Sequence, residues 1–207
     1  MVNRYIIVFF LIYSLSGCRQ GYKVESEKVY YEYWNEANGQ GKQYMAQADA
    51  KTFQKLKFDC DCSFDFGKDE KHLFIDGEPI RDIDPNTFKF IGNYVFADKD
   101  AAYFFGFYDN INDCAIQGIE LDKLQLIKYP WSKAGKILIH GRDTLTIDDI
   151  NDFQPLSEDW GKTKKHVIYG NEILEGADPE TFKVINSYTG KNGKDKNHTY
   201  EFGKIKK

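Results

Sequence analysis

The apolar residues of this chain fall in short aromatic and β-branched runs, each pair of runs separated by a polar turn. Phe64-Asp65-Phe66 is followed by Lys68 to Lys71 and then Leu73-Phe74-Ile75. Tyr94-Val95-Phe96 is followed by Asp98-Lys99-Asp100 and then Ala102-Tyr103-Phe104-Phe105. Val184 to Tyr188 is followed by a turn through Lys194 to Asn197 and then Thr199-Tyr200-Glu201-Phe202. Such runs around Lys, Asp and Asn predict β-hairpins.

Between the hairpins stands a five-residue cassette, Asp-x-x-x-Phe. Its best copies read Asp84-Pro85-Asn86-Thr87-Phe88 and Asp178-Pro179-Glu180-Thr181-Phe182, with looser copies starting at Asp49, Asp122 and Asp149. The starts lie 35, 38, 27 and 29 residues apart, a spacing that marks one supersecondary unit used repeatedly. Asp at an N-cap accepts from an orphaned N–H of the first turn, and Pro at the next position has no N–H to waste. The apolar residue before the Asp (Ala48, Ile83, Leu121 or Ala177; Asp148 in the fifth copy) can staple onto the residue four places after the cap. The expected fold is mainly β or α+β: a repeat array of β-hairpins joined by short helices N-capped by Asp49, Asp84, Asp122, Asp149 and Asp178.

The pattern Asp-Lys-(Asn/Asp)-x-x-Tyr, followed by Ala-Asp-Pro-x-Thr-Phe, resembles the DKNYY repeat family of bacterial proteins, many of them lipoproteins. Here it is carried by Asp98 to Phe104 and by Asp195 to Tyr200, with Glu27 to Tyr31 as a partial copy and turns at Trp131 to Gly135 and Trp160 to Lys164 as degenerate ones. The resemblance spans most of residues 25–203 and brings no catalytic residues with it.

The first eighteen residues read as an address. Arg4 precedes an apolar run, Tyr5 to Tyr13, too short to span a bilayer as a helix. It ends in Leu15-Ser16-Gly17-Cys18, which resembles a bacterial lipobox. The expected organisation is a signal peptide over 1–17, a lipidated tether over 18–24 with the lipid on Cys18, and a single repeat domain over 25–207. The place implied is the extracytoplasmic side of a bacterial envelope membrane.

At 207 residues with 42% hydrophobic and 16% aromatic content, the chain can build a core. Its net charge is −4; losing Arg4 with the signal peptide leaves 27 basic against 32 acidic residues, a net −5. That balance argues against a nucleic-acid partner. Besides Cys18 there are Cys60, Cys62 and Cys114, so at most one disulfide forms among them. On a strand Cys60 and Cys62 would point the same way, so the expected link joins one of them to Cys114; three unlinked thiols are the alternative.

Candidate chemistry is thin. Asp59 to Glu70 places oxygens at several positions of a calcium loop, but Phe64 stands where that loop needs Gly. His72, His140, His166 and His198 lack zinc spacing, and three of them recur near the start of a second strand, which reads as a turn role. No nucleophile elbow, metalloprotease helix, P-loop or dinucleotide glycine pattern is present. No metal, no cofactor and no enzymatic activity are expected. The tyrosines read mostly as core, with an exposed strip from adjacent hairpins as a binding surface. The leading expectation is a membrane-anchored, non-catalytic binding module with a protein or glycan partner. An immunity-type lipoprotein that neutralises an envelope toxin is the alternative, with an uncharacterised hydrolase behind both.

Overall fold

The computed structural model describes residues 20–106, 113–185 and 192–206. Six small antiparallel sheets follow one another, each a meander in sequence order. The first holds β1 (Gly21–Glu25), β2 (Lys28–Asn35) and β3 (Gly39–Tyr44). The second holds β4 (Gln54–Leu56), β5 (Phe66–Lys68), β6 (Leu73–Ile75) and β7 (Glu78–Ile80). The third holds β8 (Lys89–Gly92), β9 (Val95–Ala97) and β10 (Ala102–Phe104). Main-chain bonds from Phe104 N to Cys114 O and from Ile116 N to Ala102 O, both 2.8 Å, lay the returning chain along β10 as a further edge.

The fourth sheet holds β11 (Leu124–Lys128), β12 (Trp131–Ala134), β13 (Ile137–His140) and β14 (Asp143–Thr146). The fifth holds β15 (Gln154–Pro155), β16 (Trp160–Lys162), β17 (Val167–Tyr169) and β18 (Glu172–Ile173). The sixth holds β19 (Lys183–Ile185), β20 (Asn192–Lys194), β21 (Thr199–Glu201) and β22 (Lys204–Ile205).

No single core serves all six sheets. Five apolar clusters lie one at each joint between consecutive sheets. The period-2 alternation of a strand explains how three-residue strands can be buried on both sides. In β6, Phe74 packs back on the first sheet with Tyr22 and Tyr31, while Leu73 and Ile75 pack forward on the third with Phe96 and Tyr103. In β13, Ile139 packs back with Phe104 and Leu138 packs forward with Ile168. Each of the second to fifth sheets therefore rests on its two neighbours, the arrangement of a quasi-one-dimensional array.

In four of the five cassette units a Phe holds the unit together from inside, Leu126 standing at that place in the other. A Cβ placed on Gly67, Gly161 or Gly193, each at the centre of its unit's second strand, would sit 2.4–2.5 Å from the ring of Phe53, Phe153 or Phe182. The third sheet solves the same contact differently: Phe96 takes the glycine's place and stacks on Phe88, with ring centres 5.2 Å apart and planes 3° from parallel. A second glycine series serves the joints. Gly77, at φ +87° in the turn after β6, lies under Tyr31 of the preceding sheet, and Gly203, at φ +74°, lies under Tyr169.

Two expectations are corrected here. The cassettes do not begin joining helices. At Asp49, Asp84 and Asp178 the chain makes a single turn and enters a strand directly after the Phe. Among the described residues the helical elements are two three-residue 3-10 turns, Leu121–Lys123 and Ile150–Asp152. One turn fixes several dihedrals for little hydrogen bonding, and the aromatic and β-branched residues that follow pair more favourably as strands. The folded domain also begins earlier than the expected boundary at residue 25. Residues 21–24, assigned to the tether from sequence, belong to β1 and pair with β2 from Gly21↔Glu32 to Val24↔Val29. Residues 1–17 and Cys18 lie outside the described residues, as do 107–112.

The glycine–phenylalanine contact predicts a coupled pair of substitutions. Gly161→Ala should destabilise the protein by about 1–3 kcal/mol in urea unfolding through overpacking, and by much less in a Phe153→Ala background. Equal costs in both backgrounds would contradict the contact.

Candidate functional site: carboxylate hubs and an exposed aromatic face

The buried carboxylates are not those of the cassettes. Each is the Asp that follows the second strand of a unit. Asp98 is 5% exposed and Asp69 is 3% exposed. Asp98 Oδ1 accepts from the N–H groups of Asp100 and Ala101, both 2.8 Å, which closes the hairpin turn. Its Oδ2 accepts from the Asp84 N–H at 2.8 Å and from the Tyr103 hydroxyl at 3.0 Å. One side chain thus ties turn, cassette and following strand. Asp195 repeats the set with Asn197 N, His198 N, Asp178 N and the Tyr200 hydroxyl at 2.7–2.9 Å. Asp69 does so with Lys71 N, His72 N and Asp49 N, and with His72 Nδ1 at 3.2 Å in place of a tyrosine.

The rest of the motif follows from these hubs. The cassette Thr receives the N–H of the residue after the hub: Thr87 from Lys99 and Thr181 from Lys196, both at 3.1 Å. Lysines ending the second strand reach forward to the next cassette, Lys68 Nζ to Pro85 O at 3.1 Å and Lys162 Nζ to Pro179 O at 2.9 Å. Burial works to raise the pKa of each hub and is outweighed by the converging donors, so Asp69 and Asp98 stay below the ordinary carboxylate range and Asp195 falls to about 2. The tyrosine partners move the other way. Burial and the neighbouring Asp195 push the Tyr200 hydroxyl up to about 12.

The five aspartates expected as N-caps divide accordingly. Asp49, Asp84 and Asp178 each accept from the N–H two residues on, at 2.9–3.1 Å, and so cap an isolated turn rather than a helix. Asp149 precedes the 3-10 turn at Ile150 without a side-chain cap bond. Its Oδ2 accepts instead from Lys165 N at 3.2 Å, in the unit whose hub is Thr163. Asp122 lies inside its 3-10 turn, whose cap position is Glu120.

The expected link from Cys60 or Cys62 to Cys114 is replaced by a Cys60–Cys62 disulfide, with Cα atoms 5.1 Å apart. The same-side argument needed a strand there. Residues 57–65 carry none, since β4 ends at Leu56 and β5 starts at Phe66. Cys114 is buried, 4% exposed, among Phe105, Tyr103 and Ile83. Among the described residues no three His, Cys, Asp or Glu side chains converge as a metal site.

Exposed features are few. The aromatic residues of the hairpins, Tyr31, Tyr103, Phe104 and Tyr200, are buried and form no surface strip. Among the exposed rings, Trp34 and Tyr44 lie together on the outer face of the first sheet, while Phe202, 50% exposed, stands in the turn after β21 of the sixth. Across β2 and β3, Tyr30 pairs with Tyr44 and Trp34 with Gln40, and Trp34 and Tyr44 are 48% and 52% exposed. Lys42 Nζ lies 4.3 Å from the Tyr30 ring centre and Lys28 Nζ 5.4 Å from that of Tyr44. Lys23 and Lys42 on the same face pair with Glu32 and Glu25. Polar grooves open beside two later joints. One of about 510 Å³ is lined by Asp152, Lys162, Lys164 and Glu180, and one of about 310 Å³ by Tyr129, His140, Arg142 and Asp159.

The sequence model of the DKNYY family matches residues 22–204. No curated protein and no solved structure matches the chain. The matched span runs from β1 into β22, so it covers all six sheets.

Acid should loosen the hubs in a defined window. A carboxylate whose folded pKa is depressed adds stability that is present above its unfolded value and lost as pH falls toward the folded one. For Asp195 that window runs from 3.8 to about 2. Unfolding midpoints measured across it should fall more steeply for the wild type than for Asp195→Asn. Asp98→Asn, which turns an amide NH₂ toward N–H donors, should cost about 1–3 kcal/mol at pH 7 by urea unfolding.

Proposed function

We propose, from the premise that the chain belongs to the DKNYY family, that it is a non-catalytic binding module. In this reading a lipid on Cys18 holds it at a bacterial envelope membrane, and the repeat array meets a protein or glycan partner. The observation that carries the non-catalytic half is the saturation of the hubs. Acid–base catalysis needs a carboxyl group tuned toward the working pH and within reach of substrate. Asp69, Asp98 and Asp195 are held low, and they spend their lone pairs on donors inside the fold.

The anchor reading rests on Leu15-Ser16-Gly17-Cys18. It is supported by how soon the fold begins, since β1 starts at Gly21. The binding reading is supported by the array itself, whose successive joints present a long surface of the kind repeat proteins use for partners. The grooves lined by Lys164 and Glu180, and by Arg142 and Asp159, offer both signs of charge on that surface.

Two measurements on the full chain in a bacterial host test the reading. Cys18→Ala should lose an incorporated acyl label and move from the membrane to the soluble envelope fraction; an unchanged distribution contradicts the anchor. A photo-crosslinking residue at Lys164 or Arg142 should give a discrete adduct of reproducible mass in intact cells. Absence of any adduct from both positions contradicts partner binding through these grooves.

A further inference from the structure

We infer that the outer face of the first sheet is a membrane-contact face, seated in the headgroup layer of the bilayer that receives the lipid on Cys18. The inference rests on the anchored reading above and adds an orientation to it. Only Arg19 and Gln20 separate Cys18 from Gly21, the first residue of β1. Three residues of extended chain span at most about 11 Å. An anchor so short holds the first sheet against the lipid surface, whatever the later sheets reach.

Of that sheet's two faces, one is taken. Tyr22, Val29 and Tyr31 are 0–3% exposed and packed with Phe74 of the second sheet. Tyr31 is fixed there further, its hydroxyl within 3.0–3.1 Å of Asp65 and Asp76. The other face carries Tyr30, Trp34 and Tyr44 with Lys23, Lys28 and Lys42 among them. Tyr and Trp rings settle at the headgroup level of a bilayer, apolar body inward and polar tip wet. Lysine stems lie along apolar surface while their ammonium groups reach outward, here toward lipid phosphate. Three lysines against Glu25 and Glu32 give this face one positive charge in excess, on a chain whose net charge is −4. A soluble glycan stacking on the same rings is the competing occupant.

The tryptophans make the test direct. Trp131 and Trp160 are both 0% exposed, so of the three only Trp34 is open to a quencher at the surface. The full-length protein, purified from a bacterial host and reconstituted into phosphatidylethanolamine–phosphatidylglycerol vesicles, is floated and its tryptophan emission recorded. Nitroxide labels placed near the phospholipid headgroup should remove the Trp34 share of the emission, deep-chain labels should remove less, and Trp34→Phe should abolish the effect. A protein that floats but is quenched by aqueous iodide and not by the lipid labels overturns the orientation while leaving the anchor standing. A protein that fails to float overturns both.

Discussion

A carboxylate leaves water only when hydrogen-bond donors replace the solvent it gives up. That constraint organises this molecule. Asp69, Asp98 and Asp195 collect donors from the hairpin turn on one oxygen and from the cassette on the other. A hub therefore forms only when the two segments of a unit, 14–20 residues apart, are already in place. The cassette Phe over the second strand and the apolar clusters at the joints then fit a geometry the hub has set. Where Thr163 replaces the carboxylate, the turn still closes on the hydroxyl, and Asp149 supplies the missing acceptor from the cassette side.

Packing among the described residues runs from each sheet to the next, and the first and sixth sheets differ from those between them. At the position where Tyr31 and Tyr169 cover the turn glycine of the following unit, the sixth sheet carries a charged residue, Glu201. The first sheet keeps its outward rings exposed. This asymmetry is what separates the surface beside the expected lipid site from the surfaces along the array.

Much of the repeat was legible in the sequence, because both of its periods leave a trace there. The Asp-x-x-x-Phe spacing marks the units, and the paired apolar runs mark their hairpins. The joining helices are not present among the described residues because Asp-Pro is a start signal for a turn as much as for a helix, and only the packing of Phe88 or Phe182 on the second strand of its unit decides which. The cysteine pairing differs from expectation because the backbone between Leu56 and Phe66 is not a strand, so the same-side rule does not apply to Cys60 and Cys62. The hubs were missed although their signal was present. Asp98 and Asp195 each precede a Tyr by five residues, and each follows its cassette Asp by less than a repeat. In a polar turn a buried Asp looks like any solvated one until its long-range donors are seen.

The central claim is that the motif carboxylates are joints and not acids or bases in waiting. Site-resolved titration of the side-chain carboxyl carbons by NMR tests it most directly. The account predicts that Asp69 and Asp98 titrate below the ordinary carboxylate range and Asp195 near 2. A hub aspartate that titrates near neutrality, or that changes its value without any change in the amide signals of its turn and cassette, would contradict it.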